Sequence, residues 1–524
     1  HDGGEFFTPV SLVQMIVNVI EPDHGSVIDP ACGSGGMFVQ SQQFIDQHRK
    51  ELKEQGEKHD EDQIFVYGQE KTGDTVKLAK MNLAVNGLKG EIKQANSYSE
   101  DPFDGFGKFD YVMANPPFNV DDVPIATVES DERFNTYGIP RNKTKAKKSE
   151  QAKETVTNAN YLWINLFATS LKAKGRAALV MANSASDAGH SEADIRQKLI
   201  ENNLIYGMLT LPSNMFFTVT LPATLWFFDK DKKDDKILFI DARNVFTQID
   251  RAHREFNQEQ IQNLALISKL HKGQQIPFIR LIDSYFANGM ERLIENQKQV
   301  VPVSEKLVAA LEDKQGKNAV SDLMQQWAEF KNLQKSYQDY LKKHQTKKIS
   351  SNGVKDRNEA QHLLRENFDS FFVALHDGLK EIDKIVRQHE KTKAEAEKKA
   401  DKRSSVDQKT KQLKLSLEQL HNEVRGAEGY YKHIKWLQDR FPKAKYEDVI
   451  GLCKLATPSE VKDQGYSLNS GRYIGVVIEE DGKTEEEFIA ELTSLNDDLS
   501  EANIFSQKIV KVINNNISKL AGPQ

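Results

Sequence analysis

The sequence predicts an α/β chain: a doubly wound sheet, then a long α-helical arm and a C-terminal helix. Three changes of texture along its 524 residues carry that prediction. From Val10 to about Val245, short β-rich runs alternate with amphipathic stretches, the pattern of parallel strands with helices on both faces. Residues 304–345 and 357–440 then become rich in Lys, Glu, Gln, Ala and Leu. They contain no proline and place apolar residues three and four apart, which is the helical period. Glu485 to Leu520 is again amphipathic, with Phe488, Leu492, Leu495 and Leu499 on one stripe. These changes divide the chain into 1–256, a helical region 257–445, and a return segment with an amphipathic, partner-binding helix over 446–524.

The first strand is Val27-Ile28-Asp29, followed by Pro30-Ala31-Cys32-Gly33-Ser34-Gly35-Gly36-Met37-Phe38. An acidic strand end, three glycines in four positions and an apolar helix start form a turn that main chain and ligand can share closely. No G-x-x-x-x-G-K-[ST] or G-x-G-x-x-G occurs, so phosphate-loop and dinucleotide readings fail on detail. Ile64 to Glu70 is the second strand, and Glu70 is the candidate acceptor for a ribose hydroxyl. The polar stretch 47–63 is read as a lengthened helix and loop. In the arm, Leu375, Leu379, Ile382, Ile385 and Val386 trace one face, and residues 350–353 read as the turn of an antiparallel helical hairpin.

Phe109 to Ala114 is a further strand, and Asn115-Pro116-Pro117-Phe118 follows it. The Asn115 side-chain oxygen and the Pro116 carbonyl can each accept one hydrogen of an aryl amine. The consecutive prolines fix the direction of that carbonyl, and Phe118 offers a ring for a base turned out of a duplex. The arrangement implies methyl transfer to an exocyclic nitrogen. The competing reading is a Pro-Pro turn closing a core strand over a buried Phe.

Together with Glu5-Phe6-Phe7-Thr8-Pro9 and Tyr67-Gly68-Gln69-Glu70, these motifs resemble, in order and wording, the N6-adenine DNA methyltransferases. They are most similar to the modification subunit of type I restriction-modification systems. The resemblance extends through 158–163, 175–181, 211–217 and 240–243 and returns at 451–454 and 470–475, covering the first half and the tail. It implies a Rossmann-like methyltransferase sheet that binds S-adenosylmethionine against Glu5, Phe6, Phe7, Thr8 and Pro9, over Asp29, Ala31, Cys32, Gly33, Ser34, Gly35 and Gly36. Glu70 would take the ribose and Asn96 the adenine ring, with Asn115 beside the donor methyl. Where the family carries an acidic residue near that ring this chain has Asn96, and Asp101 and Asp104 are alternative substitutes. Asn115, Pro116, Pro117 and Phe118 would hold the target adenine. Phe216 and Phe217 would flank it, or else belong to the core of a buried loop. Thr8-Pro9 also reads as a helix N-cap followed by proline at the first helical position. The family further implies double-stranded DNA, a specificity subunit, a second modification subunit and a restriction subunit as partners, and a helical domain ahead of His1. The connection over about 290–445 is much longer than the family's and reads as an insertion.

Composition limits the alternatives. Cys32 and Cys453 are the two cysteines, and neither follows a proline, as the nucleophile of a cytosine-C5 methyltransferase would. So few cysteines, without a signal peptide or a long apolar run, predict a cytoplasmic protein. The 13 histidines show no metal-ligand spacing. Lys and Arg number 71 against 77 acidic residues, a formal charge of −6. A free-standing DNA binder is usually basic, so part of the phosphate grip should come from a partner. The local exception is Arg141, Lys143, Lys145, Lys147 and Lys148, either a loop that closes over phosphates or a solvated loop. A protein-glutamine methyltransferase and a non-catalytic scaffold acting through its arm are the other readings. Tyr usually ends the glutamine motif where this chain has Phe118, and the intact Asn115, Pro116 and Glu70 argue against decay.

Overall fold

A computed structural model describes residues 8–54, 64–121, 123–141, 155–156, 158–216, 222–344, 349–350, 353–399 and 408–476, and scattered positions from Leu499 to Ile513. By its contacts the chain divides into residues 1–475 and 476–524. In the second unit the described positions from Leu499 to Ile513 are helical, whereas Val476 is not. Phe488, Leu492 and Leu495 of the expected stripe lie outside the described residues.

The strands are β1 Ser26–Asp29, β2 Phe65–Glu70, β3 Lys89–Gln94, β4 Phe109–Ala114, β5 Val123–Pro124, β6 Thr155–Val156, β7 Leu171–Ala182, β8 Ile205–Thr210, β9 Ala223–Asp229, β10 Ile237–Asp241, β11 Thr247–Gln248, β12 Arg254–Glu255 and β13 Cys453–Ala456. Nine of them form one sheet in the order β13-β10-β8-β9-β7-β4-β1-β2-β3. β3, β2, β1, β4 and β7 are mutually parallel. β9 runs antiparallel to both β7 and β8, and β10 is parallel to β8. The order reverses between β1 and β4, so a crevice opens outside their carboxyl ends, where open α/β sheets bind ligands. β13 closes the far edge antiparallel to β10, pairing Cys453 with Ile240, so the chain after the arm returns to the first sheet.

The helices are α1 Val10–Ile20, α2 Gly36–Glu54, α3 Gly73–Val85, α4 Ile125–Val128, α5 Glu132–Asn135, α6 Asn160–Ser170, α7 Ser191–Glu201, α8 Gln258–His271, α9 Ile276–Ala310, α10 Lys314–Ala328, α11 Phe330–His344, α12 Gly353–Lys399, α13 Gln408–Arg440 and α14 Pro458–Asp463. β8, β9 and β10 are buried along their whole length, as strands covered on both faces must be. α6 is buried at every position.

The arm is built from α9 to α13. Bonds from Gln275 to Ala444 and Asn296 to Glu423 run α13 antiparallel to α9. Contacts of Arg365 with Asp439 and His376 with Glu428 do the same for α12 and α13. Leu375, Leu379, Ile382 and Val386 are buried. Phe372 stacks on Tyr431 with ring centroids 5.0 Å apart. The Gly353 amide donates to the Ser350 carbonyl at 2.9 Å, which turns the chain into α12; Ser351 and Asn352 lie outside the described residues. Among the described residues no helix is long and apolar enough to cross a membrane.

Candidate active site

Parallel register brings the acidic and amide residues to one edge. β1 and β2 pair Asp29 with Gly68, β2 and β3 pair Glu70 with Gln94, and β1 and β4 pair Ile28 with Val112. Asp29, Glu70, Asn96 and Asn115 therefore stand at or just beyond the carboxyl ends of four neighbouring strands.

The glycine turn is tied from both sides. The Cys32 amide donates to the Gln69 carbonyl at 2.9 Å and the Gly35 amide to the Cys32 carbonyl at 2.8 Å. Asn82 of α3 donates to the Ser34 carbonyl at 2.7 Å, and the Ser97 hydroxyl donates to the Pro30 carbonyl at 2.5 Å. Gly33 and Gly35 have φ of +52° and +82°, backbone that glycine adopts without strain. A Cβ at Gly33 or Gly36 would meet nothing within 4 Å, so the turn presents bare main chain to open space. Gly68 answers a different need: a Cβ there would lie 2.5 Å from Ile92 Cδ1 and 2.9 Å from Cys32 Sγ.

Glu70 spans the site. Its Oε2 accepts from the Gly33 amide at 3.2 Å and its Oε1 from the Thr72 amide at 2.8 Å; each carboxylate oxygen still has capacity for a hydroxyl. Asp29 is 2% exposed and accepts from the Ala31 amide at 2.9 Å. Burial pushes its carboxyl up to about 8, against that hydrogen bond and with the Glu70 carboxylate adding to the rise. Burial also raises the Cys32 thiol, and Asp29 and Glu70 push it the same way, so Cys32 is a packed thiol rather than a thiolate. The Asn96 side chain accepts from the Tyr98 amide, and the Asn96 amide donates to Glu100 at 3.0 Å. Of the two carboxylates weighed as substitutes here, Asp101 is turned to the Gly105 amide and to Arg133, 3.5 Å away, and Asp104 is exposed in a left-handed turn.

Asn115 donates from Nδ2 to the Thr8 hydroxyl at 3.0 Å, which assigns the acceptor role of the amide to Oδ1. Thr8 does not cap α1, a correction to the N-cap reading. Pro9 occupies the cap position without a side-chain bond, its carbonyl receives the Leu12 and Val13 amides, and Thr8 is one residue too early. Pro116 is buried and Pro117 half-buried.

The loop after Phe118 is held by three asparagines. Asn119, at φ +54°, gives its amide to Asn160 Oδ1 at 2.9 Å and receives Asn158 and Asn160 Nδ2 on its own Oδ1 at 3.0 and 2.9 Å. This clamp escaped sequence reasoning, although Asn158 and Asn160 lie in one of the resembling stretches and asparagine tolerates the left-handed region. Phe118 and Phe216 are both buried and meet edge to face, 6.2 Å between centroids. Arg141 is exposed and pairs with Glu129 at 3.2 Å. Glu5, Phe6, Phe7, Lys143, Lys145, Lys147, Lys148 and Phe217 lie outside the described residues.

Residues 1–283 match the model of a family described as N-6 DNA methylase, a little over half of the chain. The chain belongs to the N-6 DNA methylase family. The match ends inside α9, so most of the arm lies beyond it. A type I restriction enzyme methylase subunit of Methanocaldococcus jannaschii is 38% identical over 265 residues, 50% of this chain and 44% of its own. One from Haemophilus influenzae is 35% identical over 274 residues, 52% and 56%. The chain thus spans about half the length of the curated relatives it matches. A methyltransferase subunit of a type I restriction-modification system from Streptococcus thermophilus has 22% identity and a TM-score of 0.43 over 51% of this chain and 54% of its own.

Proposed function

We propose that this chain transfers the methyl group of S-adenosylmethionine to N6 of adenine in DNA, as the modification subunit of a type I restriction-modification assembly. The observation that carries the reading is the pairing of two features on neighbouring strands: Asn115-Pro116 after β4, with Asn115 oriented by Thr8, and the bare glycine turn after β1.

The residues present fit the cofactor. The open space over Gly33 and Gly36 admits close approach, Asp29 and Glu70 supply oxygen acceptors, and Asn96 can pair an adenine edge. When bound, S-adenosylmethionine supplies an electrophilic methyl on a sulfonium. Asn115 Oδ1 and the Pro116 carbonyl accept the two amine hydrogens of the target adenine and draw its lone pair out of conjugation. Two acceptors held by Thr8 and by proline geometry are preorganised, and positioning of this kind supplies much of the acceleration in such transfers. The base must leave the duplex to reach them. Phe118 and Phe216 border the place it would occupy. With a formal charge of −6, the chain gains phosphate grip and sequence reading from a specificity subunit and a second modification subunit.

Incubating the protein and its co-purifying subunits with tritiated S-adenosylmethionine and host DNA, then digesting to nucleosides, tests this. N6-methyladenine is expected. Label in a cytosine derivative, or in glutamine of a protein, would contradict the reading.

A further inference from the structure

An adenine that leaves the helix vacates a place in the base stack, and among the described residues an exposed hairpin tip is suited to fill it. β10 ends at the same carboxyl edge as β4, and the chain then makes the β11–β12 hairpin, pairing Gln248 with Arg254. Ile249 stands at its tip, 56% exposed. Large exposed apolar side chains also occur near this edge at Val10 and Ile450. Neither has a cation within two residues, whereas Arg251 stands two residues from Ile249.

The hairpin is bonded within its own turn and anchored to the loop that leads to Phe216. The Ile249 amide donates to the His253 carbonyl at 3.0 Å, and the Ala252 amide to Asp250 Oδ1 at 2.7 Å. Gln248 Nε2 bonds the Asp250 and His253 carbonyls from inside the turn. Arg254 fixes the base of the hairpin. Its guanidinium lies 4.1 Å over the Phe246 ring, donates to Gln248 Oε1 at 3.0 Å and to Ser213 Oγ at 2.9 Å. Its amide donates to the Asn214 carbonyl at 2.9 Å. Ser213 and Asn214 lead directly into Phe216, whose ring meets Phe118. One run of contacts therefore joins the exposed isoleucine to the Asn115-Pro116-Pro117-Phe118 turn.

Resting on the reading of DNA adenine as substrate, we propose that the β11–β12 hairpin is a DNA wedge: Ile249 fills the stack vacated by the target base and Arg251 grips the neighbouring phosphate. An apolar side chain between base steps replaces part of the lost stacking. Arg251 is exposed at the tip beside it, where a cation neutralises phosphate charge.

The test uses the full chain with its co-purifying subunits and a duplex carrying the methylated site, either fully paired or mispaired at the target adenine. Ile249→Ala changes an exposed side chain and leaves every hairpin bond in place. It should slow single-turnover methylation of paired DNA about tenfold, with near wild-type rates on mispaired DNA, because a mispaired base costs less to extrude. Arg251→Ala should lower the salt dependence of DNA binding by about one in the log–log slope. Wild-type rates for Ile249→Ala on paired DNA, or an equal defect on both duplexes, would overturn the wedge while leaving the substrate reading intact. Wild-type protein that places no methyl on adenine would overturn both.

Discussion

The carboxyl edge of the sheet and the helical arm solve opposite problems with different residues. The edge is made of exceptions: Gly33, Gly35, Asn119 and Asn214 at positive φ, a buried carboxyl at Asp29, and asparagines bonded across loops. Among the described residues of α9 to α13 no positive φ occurs. Order there comes from aromatic layers such as Phe286 against Phe368 and Phe372 against Tyr431, and from one polar knot in which Tyr340, Arg357 and Gln361 all reach Asp283. Strain and buried charge gather where a protein must meet a ligand, and regular packing serves where it need only keep a shape. The edge trades stability for chemistry; the arm does the reverse.

Substitutions at the two regions should therefore separate stability from turnover. Phe372→Ala empties a site that is 2% exposed and should cost about 3–5 kcal/mol in denaturant unfolding, with methyl transfer per folded molecule unchanged. A large fall in transfer by protein that stays folded would place the arm in the reaction and break the contrast.

Asp29→Asn should act in the opposite sense. The folded carboxyl titrates near 8, well above its usual 3.8. The stability tied to the protonated form is therefore complete below about pH 4 and is lost as pH rises through 8. The asparagine variant should flatten that decline and raise the melting temperature at pH 8 by roughly 2–4 °C, the displacement of ~1 kcal/mol in a large domain. It should also weaken cofactor binding. Parallel pH profiles for variant and wild type would show that Asp29 does not carry the strain.

Much of the frame was legible because local signals were strong. Apolar runs ending in Asp29, Glu70 and Ala114 are hard to read as anything but strands, and the helical period of Leu375, Leu379 and Ile382 has no competitor. What escaped was long-range. The Thr8 hydroxyl meets Asn115 across 107 residues, and Arg133, already held by Asp131 at 2.6 Å, also comes within 3.5 Å of Asp101. Neither leaves a mark in local composition. The reversed β9 was equally silent, since a fully buried strand reads the same in either direction. The asparagine clamp at least left Asn119, Asn158 and Asn160 in view, without saying which would bond which.

The most direct measurement is methyl transfer by Asn115→Ala alongside its affinity for S-adenosylmethionine. Transfer to DNA should fall at least about a thousandfold, on the scale of losing a preorganised polar contact to the reacting group. Cofactor affinity should stay within about threefold, the ~0.7 kcal/mol of a peripheral contact. Wild-type turnover by the variant would contradict the assignment of Asn115 as a holder of the target amine.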